Sequence, residues 1–259
     1  NVLNNIVADK HKEVALKKTL IPVSQLEASV LFERKTLSLS QKLRNSNSGI
    51  IAEHKRRSPS KAVINQNHSV FDVVNGYENA GVCGISVLTD GKYFGGSLDD
   101  LLLARASVEI PLLRKEFIID EYQILEAKAH GTDVILLIAA ILSREEIRSL
   151  STFAKSIGLE VLLEVHNEEE LQKSIMPSLD MLGVNNRNLK TFEVSLDTSK
   201  VLSTAIPDDF VKVSESGISH VEAIKDLQQY GYKGFLIGEN FMKTDNPGKS
   251  AKEFINKLK

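Results

Sequence analysis

At 259 residues, 42% of them hydrophobic, the chain is large enough for one α/β domain with a substantial core. A formal net charge of −2, with both signs interspersed, argues against nucleic acid or an anionic membrane as a partner. No apolar run approaches the roughly 20 residues of a membrane helix. The start, NVLNNIVADKHKEV, lacks a signal-peptide core, and the single cysteine, Cys83, cannot pair internally, so a reducing cytoplasm is the expected home.

The first 48 residues differ from the rest. NVLNNIVADKHKEVALKKT and VSQLEASVLF read as amphipathic helices, followed by the polar RNSNSG. They have no strand partner and are too few to bury a core of their own, so residues 1–48 are expected as a helical extension packed on a domain spanning 49–259.

From Gly49 the chain alternates strand and helix. Strands are predicted at Ile50–Glu53, Gly84–Leu88, Pro111–Glu116, Asp133–Ile138, Glu160–Val165, Met181–Val184, Phe210–Ser214 and Gly234–Ile237. Continuous apolar runs with β-branched residues suit a parallel sheet buried on both faces, and Cys83 reads as a small core residue beside the second run. Between the runs, Ser143–Glu146, Asn167–Glu170 and Ser219–Glu222 have capping-box spacing. His130–Gly131, Ile157–Gly158 and Tyr230–Gly231 put glycine where a left-handed helix stop belongs. Eight such units without a strong linker predict a single (β/α)8 barrel of the TIM type. A doubly wound open sheet is the alternative, but it would favour a glycine fingerprint after the first strand, where the chain reads AEHKRRSPSK.

A barrel brings the C-terminal ends of all its strands to one face, so polar residues at those ends converge. Side-chain alternation turns Glu53 and Lys55 one way and His54 the other, into the helix layer. Lys115 shares a face with Leu113 and Phe117, Glu164 with Leu162, and Glu215 with Val213, while Asn185 and Arg187 share parity. The expected mouth therefore sets Lys55, Lys115 and Arg187 against Glu53, Glu164 and Glu215 between apolar walls. Buried charges must be paired or engaged by substrate, and lysines and carboxylates in such a cluster are candidate acids and bases.

SESGIS after the seventh strand and LIGENF after the eighth place glycines where backbone N–H groups can surround an anion. Gly217 and Gly238 are read as parts of a phosphate cup, with Gly238→Val expected to obstruct the phosphate itself. GKYFGGS reads as a mobile loop whose Phe94 covers an apolar substrate. The histidines show no ligand spacing and no Walker loop is present, so neither metal nor cofactor is expected.

Taken together, IIAEHKRRSPSK, GISVLTDGKYFGGSLDDL, PLLRKEFIIDEYQI, LEVLLEVHNEEEL, LGVNNRNLKTFEVSL, VSESGI and LIGENFMK resemble indole-3-glycerol-phosphate synthase over nearly the whole chain, least in the first 45 residues. Two positions depart from the family: His54 stands where the residue is usually apolar, and Ala62 where glycine follows SPSK. The resemblance implies a cofactor-independent lyase of tryptophan biosynthesis. Its substrate is the phosphorylated small molecule 1-(2-carboxyphenylamino)-1-deoxyribulose 5-phosphate, which undergoes ring closure, decarboxylation and dehydration. By position, it makes Lys115 the general acid at the ketone and Lys55 a contact for the carboxylate with a part in dehydration. Glu164 becomes the dehydration base, and Glu53 orients Lys115 or assists proton transfer. Ser58, Asn185, Arg187, Glu215 and Ser216 match substrate-binding positions. Phe94, Phe117 and Ile138 are expected around the aromatic ring, with Ser216, Gly217, Gly238 and Glu239 around the phosphate. How the two lysines divide acid duties stays open. Other enzymes of the pathway are conceivable partners, and no fused neighbour is expected after KEFINKLK. Two other readings compete, a Schiff-base aldolase on the same barrel and an inactive phosphate-sensing barrel.

Overall fold

The computed structural model describes residues 1–259. Three helices, α1 (Val2–Leu20), α2 (Val23–Glu27) and α3 (Leu39–Arg44), precede the first strand. The strands are β1 (Ile50–His54), β2 (Gly84–Leu88), β3 (Leu112–Lys115), β4 (Val134–Ile138), β5 (Glu160–Val165), β6 (Met181–Asn185), β7 (Val211–Glu215) and β8 (Tyr232–Ile237). They pair in sequence order, all parallel, and β8 closes on β1. The intervening helices are α4 (Val70–Ala80), α5 (Leu98–Ser107), α6 (Glu121–Ala129), α7 (Arg144–Ser156), α8 (Glu168–Ser174), α9 (Asp197–Leu202) and α10 (Val221–Gln228), with α11 (Glu239–Met242) and α12 (Pro247–Leu258) after β8. This is the (β/α)8 barrel. No helix is long and apolar enough to cross a membrane.

Alternation along the strands produces two apolar regions. Ile51, Leu113, Leu136, Leu162, Met181, Val213 and Leu236 fill the barrel interior. Their neighbours of opposite parity, such as Ala52, Ile135, Leu163 and Phe235, pack outward against the helices. Cys83 is free and buried, as expected.

Several element ends differ from the sequence reading. β3 starts at Leu112 because Pro111 has no N–H for the ladder, although its carbonyl still accepts from Ile85 at 3.0 Å. β6 and β7 each run one residue further, to Asn185 and Glu215, so these polar side chains stand on the strands themselves. The Ser143–Glu146 box forms in full. Asn167 caps α8, but the Glu170 carboxylate turns to His166 instead of closing the box. Ser219–Glu222 is not a cap: α10 begins one residue later behind His220, and Ser219 lines the central cavity. Gly131, Gly158 and Gly231 all take positive φ, as helix stops require.

The extension is clasped at both ends of the barrel. The second predicted helix shortens to α2, and α3, which the polar composition around it concealed, plugs the base with Leu39 and Leu43. Gly84 has no side chain because Leu39 occupies its place, 2.7 Å from where a Cβ would stand. Glu160 accepts from Leu39 N at 2.7 Å and Ser40 N at 3.1 Å, holding the start of α3. Nearby Asp133, fully buried, receives Arg34 at 2.7 Å and Arg105 at 2.8 Å. At the opposite face, buried Lys10 of α1 reaches Asp90 at 2.7 Å and Glu116 at 3.0 Å, which lays α1 across the barrel mouth.

Candidate active site

The C-terminal ends of the strands surround a cavity of about 350 Å³. Every residue expected at the site lines it except Glu215: Glu53, Lys55, Ser58, Phe94, Lys115, Phe117, Ile138, Glu164, Asn185, Arg187, Ser216, Gly217, Gly238 and Glu239. Glu215 points inward but lies beneath the cavity, 1% exposed, with neither carboxylate oxygen hydrogen-bonded. It fits there because Gly183, its neighbour on β6, has no side chain: a Cβ would stand 3.1 Å from Glu215 Oε2.

The centre of the mouth is Glu53. Its Oε2 accepts from Lys115 Nζ at 3.1 Å and from Ser86 Oγ at 2.8 Å, and Oε1 lies 3.5 Å from Lys55 Nζ. Burial would raise the Glu53 carboxyl, but Lys115, Lys55 and Ser86 together hold it below the usual carboxylate range. Burial would likewise strip the Lys115 proton. Glu53 above all, with Glu164, keeps that ammonium above the ordinary lysine value. Glu215 goes the other way. Burial, reinforced by Glu164, pushes it well above the carboxylate range, and Lys115 only partly opposes this. The expected balance of three cations against three anions is therefore uneven. Two lysines share Glu53, Glu215 favours its neutral acid, and Arg187 donates to the Phe192 carbonyl at 2.9 Å instead of to a carboxylate.

Apolar walls flank this cluster. The rings of Phe94 and Phe117 lie 5.9 Å apart, and Leu136, Ile138 and Leu236 continue the surface. Helix α1 adds Val2, Leu3 and Ile6, a wall that sequence reasoning missed because nothing local marks which face of a leading helix meets a distant barrel. Phe94 is placed by Asp90, whose Oδ2 accepts from Tyr93 N at 2.7 Å and Phe94 N at 3.2 Å. Arg56 and Arg57 donate to the Gly95, Gly91 and Lys92 carbonyls, joining the loop after β1 to the loop after β2.

On the far side lie the loops after β7 and β8. Ser216 and Gly217 have φ of 73° and 79°, a left-handed pair that turns successive amides to one side. The N–H groups of Ser216, Gly217, Ile218 and Gly238 donate to nothing within the protein. Asn185 Oδ1 accepts from Ser216 Oγ at 2.8 Å, and Asn186 Nδ2 holds the Ser216 carbonyl at 3.0 Å. Asn186 was not singled out from sequence, because its network with Ser199 and Ser214 spans 28 residues of chain. Glu239 also lines this cavity. Its carboxylate pairs with Lys61 at 2.9 Å, which holds it below the usual range.

A Cβ at Gly238 would meet Glu53, 2.8 Å from Oε1, so the missing side chain makes room for the central carboxylate. His54, as its parity indicated, faces the helix layer; it is 1% exposed and lowered to about 4 by burial and by Arg56. Ala62 takes no positive φ, so the glycine it replaces is not needed here for backbone conformation.

The family model and the most similar sequences agree on one family. The family model described as Indole-3-glycerol phosphate synthase matches residues 3–254. An indole-3-glycerol phosphate synthase of Bacteroides thetaiotaomicron is 47% identical over 258 residues, covering 100% of this chain and 99% of the relative. One from Dechloromonas aromatica is 40% identical, covering 96% of each. Among solved structures, 3-hexulose-6-phosphate synthase from Salmonella typhimurium superposes with a TM-score of 0.64 at 13% identity, over 81% of this chain and 98% of that one. Tryptophan synthase subunit alpha from Legionella pneumophila gives 0.61 at 13% identity, over 85% and 96%. At that identity the structures establish the barrel alone.

Proposed function

The chain belongs to the indole-3-glycerol phosphate synthase family, and from that premise we propose how its pocket converts 1-(2-carboxyphenylamino)-1-deoxyribulose 5-phosphate to indole-3-glycerol phosphate. The observation that carries the reading is one cavity holding a carboxylate-clamped lysine pair, aromatic walls and unpaired backbone amides.

The phosphate sits against the amides of Ser216, Gly217 and Gly238, and the carboxyphenyl ring between Phe94, Phe117 and Ile138. In ring closure, the ring carbon bearing the carboxylate attacks the ketone carbon. Lys115, kept as an ammonium by Glu53, hydrogen-bonds the ketone oxygen and gives it a proton as the alkoxide forms. Lys55 holds the carboxylate until carbon dioxide leaves and its electrons restore the aromatic ring. In dehydration, the nitrogen lone pair expels the new hydroxyl, which takes a proton from a lysine. Glu164 then removes the carbon-bound proton that completes the indole. Glu53 is the positioning group for both lysines, because each must reach a different substrate atom from one anchor. Asn185, Arg187 and Ser58 shape the sugar-chain side, and Glu215 lies beneath the cavity.

A Schiff-base reaction at Lys115 fits less well, since that chemistry needs a neutral amine and this one is stabilised as the cation. The chemistry uses no cofactor, and cytoplasmic location, with no nucleic-acid or membrane partner, follows from a metabolic step on a small phosphorylated substrate. Purified protein supplied with substrate, without added metal or nucleotide, is expected to release indole-3-glycerol phosphate. Borohydride should trap no lysine adduct. Absence of product, or a trapped lysine, refutes the reading.

A further inference from the structure

Of the three carboxylates at the mouth, Glu164 has its nearest ion-pair partner on its own strand end. Glu53 has two lysines and Glu215 is neutral-leaning, whereas Glu164, 4% exposed, has one ion-pair partner within 4 Å, His166. His166 follows β5 by one residue and shares the parity of Glu164, so its ring turns back toward it. It lies outside the cavity lining.

The ring is held from behind. Glu170 Oε1, on the first turn of α8, accepts the His166 backbone N–H at 2.9 Å and stands 3.0 Å from Nδ1. A carboxylate can only accept, so Nδ1 carries the hydrogen and Nε2 faces Glu164. Nε2 is buried, 3.5 Å from Glu164 Oε2, with no hydrogen-bond partner. A bare lone pair aimed at a carboxylate would be repelled, whereas a second proton makes the contact an ion pair. Burial favours the neutral ring, but Glu170 and Glu164 outweigh it and hold the imidazole above its ordinary value. Charged groups face this arrangement from α8, as Glu170, from β5, as Glu164, and across the mouth from β3 and β7, as Lys115 and Glu215. The turn after β4 contributes only Ala139, Ala140 and Ile141.

We propose that His166 is the positioning residue for Glu164: oriented by Glu170, its ring presents Nε2 to Glu164 Oε2 and pairs with that carboxylate where it acts as the base. The proposal rests on Glu164 acting as the dehydration base.

The sign of the effect follows. An opposite charge within about 4–6 Å favours the ionised form of a carboxyl, and removing it disfavours that form. In His166→Gln the acid limb of the turnover–pH profile is expected to move to higher pH by about one unit or more, with rate recovering above it and KM little changed. Glu170→Gln still accepts the backbone N–H but loses the charge that supports the ring, and should shift the limb the same way by less. A role in folding or packing alone would lower the rate at every pH and leave the limb in place. If His166→Gln and Glu170→Gln both keep the wild-type limb while Glu164→Gln is inactive, the positioning role is overturned and the base assignment survives. If Glu164→Gln turns over like wild type, both are overturned.

Discussion

Lys115 and Glu164 stand on strand ends 49 residues apart in the chain, and the roles proposed for them should separate in kinetics. Lys115→Ala is expected to lower turnover by at least ~10²-fold, the usual contribution of a positioned proton donor. Folding should survive, since the ammonium serves one anchor, Glu53, and its loss leaves Lys55 and Ser86 to satisfy that carboxylate. Turnover near the wild-type value would remove the general-acid role. Glu164→Gln keeps the shape but cannot take a proton, so turnover should fall far more than binding. A raised Michaelis constant with unchanged turnover would make Glu164 a binding residue instead. Gly238→Ala tests a contact that only the tertiary structure revealed. Its Cβ must displace Glu53, so turnover should drop about tenfold or more through a misplaced Lys115. Lys243→Ala, at the cavity rim, should change binding of inorganic phosphate little by calorimetry. A large loss would mean that side-chain charge, not backbone, holds the phosphate.

At the level of single elements, β1 shows how one strand serves two environments. Glu53 and Lys55 work inward, while His54 sits among apolar neighbours and near Asp100 of α5, with Nε2 unpartnered. Its folded value of about 4 lies below the unfolded 6.5, so the unfolded chain binds the extra proton between those pH values. The contribution of His54 is complete above pH 6.5 and declines as pH falls toward 4. By pH 5 the protein should have lost about 2 kcal/mol through this residue. His54→Val should flatten that decline, giving a smaller drop in melting temperature between pH 7.5 and 5 than wild type shows. Equal drops would mean that the ring is not buried neutral. Strand parity already pointed His54 away from the mouth. The loss of the Ser219–Glu222 cap was not legible, because spacing alone cannot tell a residue that caps a helix from one that lines a cavity.

The molecule as a whole is closed by an extension that runs from mouth to base. Lys10 ties α1 to Asp90 and Glu116 above, and Arg34 ties the approach to α3 to Asp133 below. Asp133 also receives Arg105 and the backbone N–H groups of Leu37 and Leu112, each at 2.8 Å. Asp133→Ala would leave Arg105 buried and unpaired, so urea unfolding should show a loss of about 3–5 kcal/mol, the usual cost of breaking a buried pair from one side. A loss below about 1 kcal/mol would show that the Asp133 contacts add little to the docking of the extension.

By itself the sequence determined the barrel, because eight buried strands with punctuated helices leave few ways to close a parallel sheet, and it determined which side chains turn inward, because strand alternation is local. It also pointed to the lysines, carboxylates and glycine loops of the mouth, since each stands at the end of its own apolar run. Tertiary structure alone decided which charge answers which. Glu53 serving two lysines, Glu215 sinking beneath Gly183, Gly238 yielding to Glu53 and α1 roofing the cavity all depend on distances between segments remote in the chain. The partners available, and hence each group's proton affinity, are set by three-dimensional neighbours that no local pattern encodes.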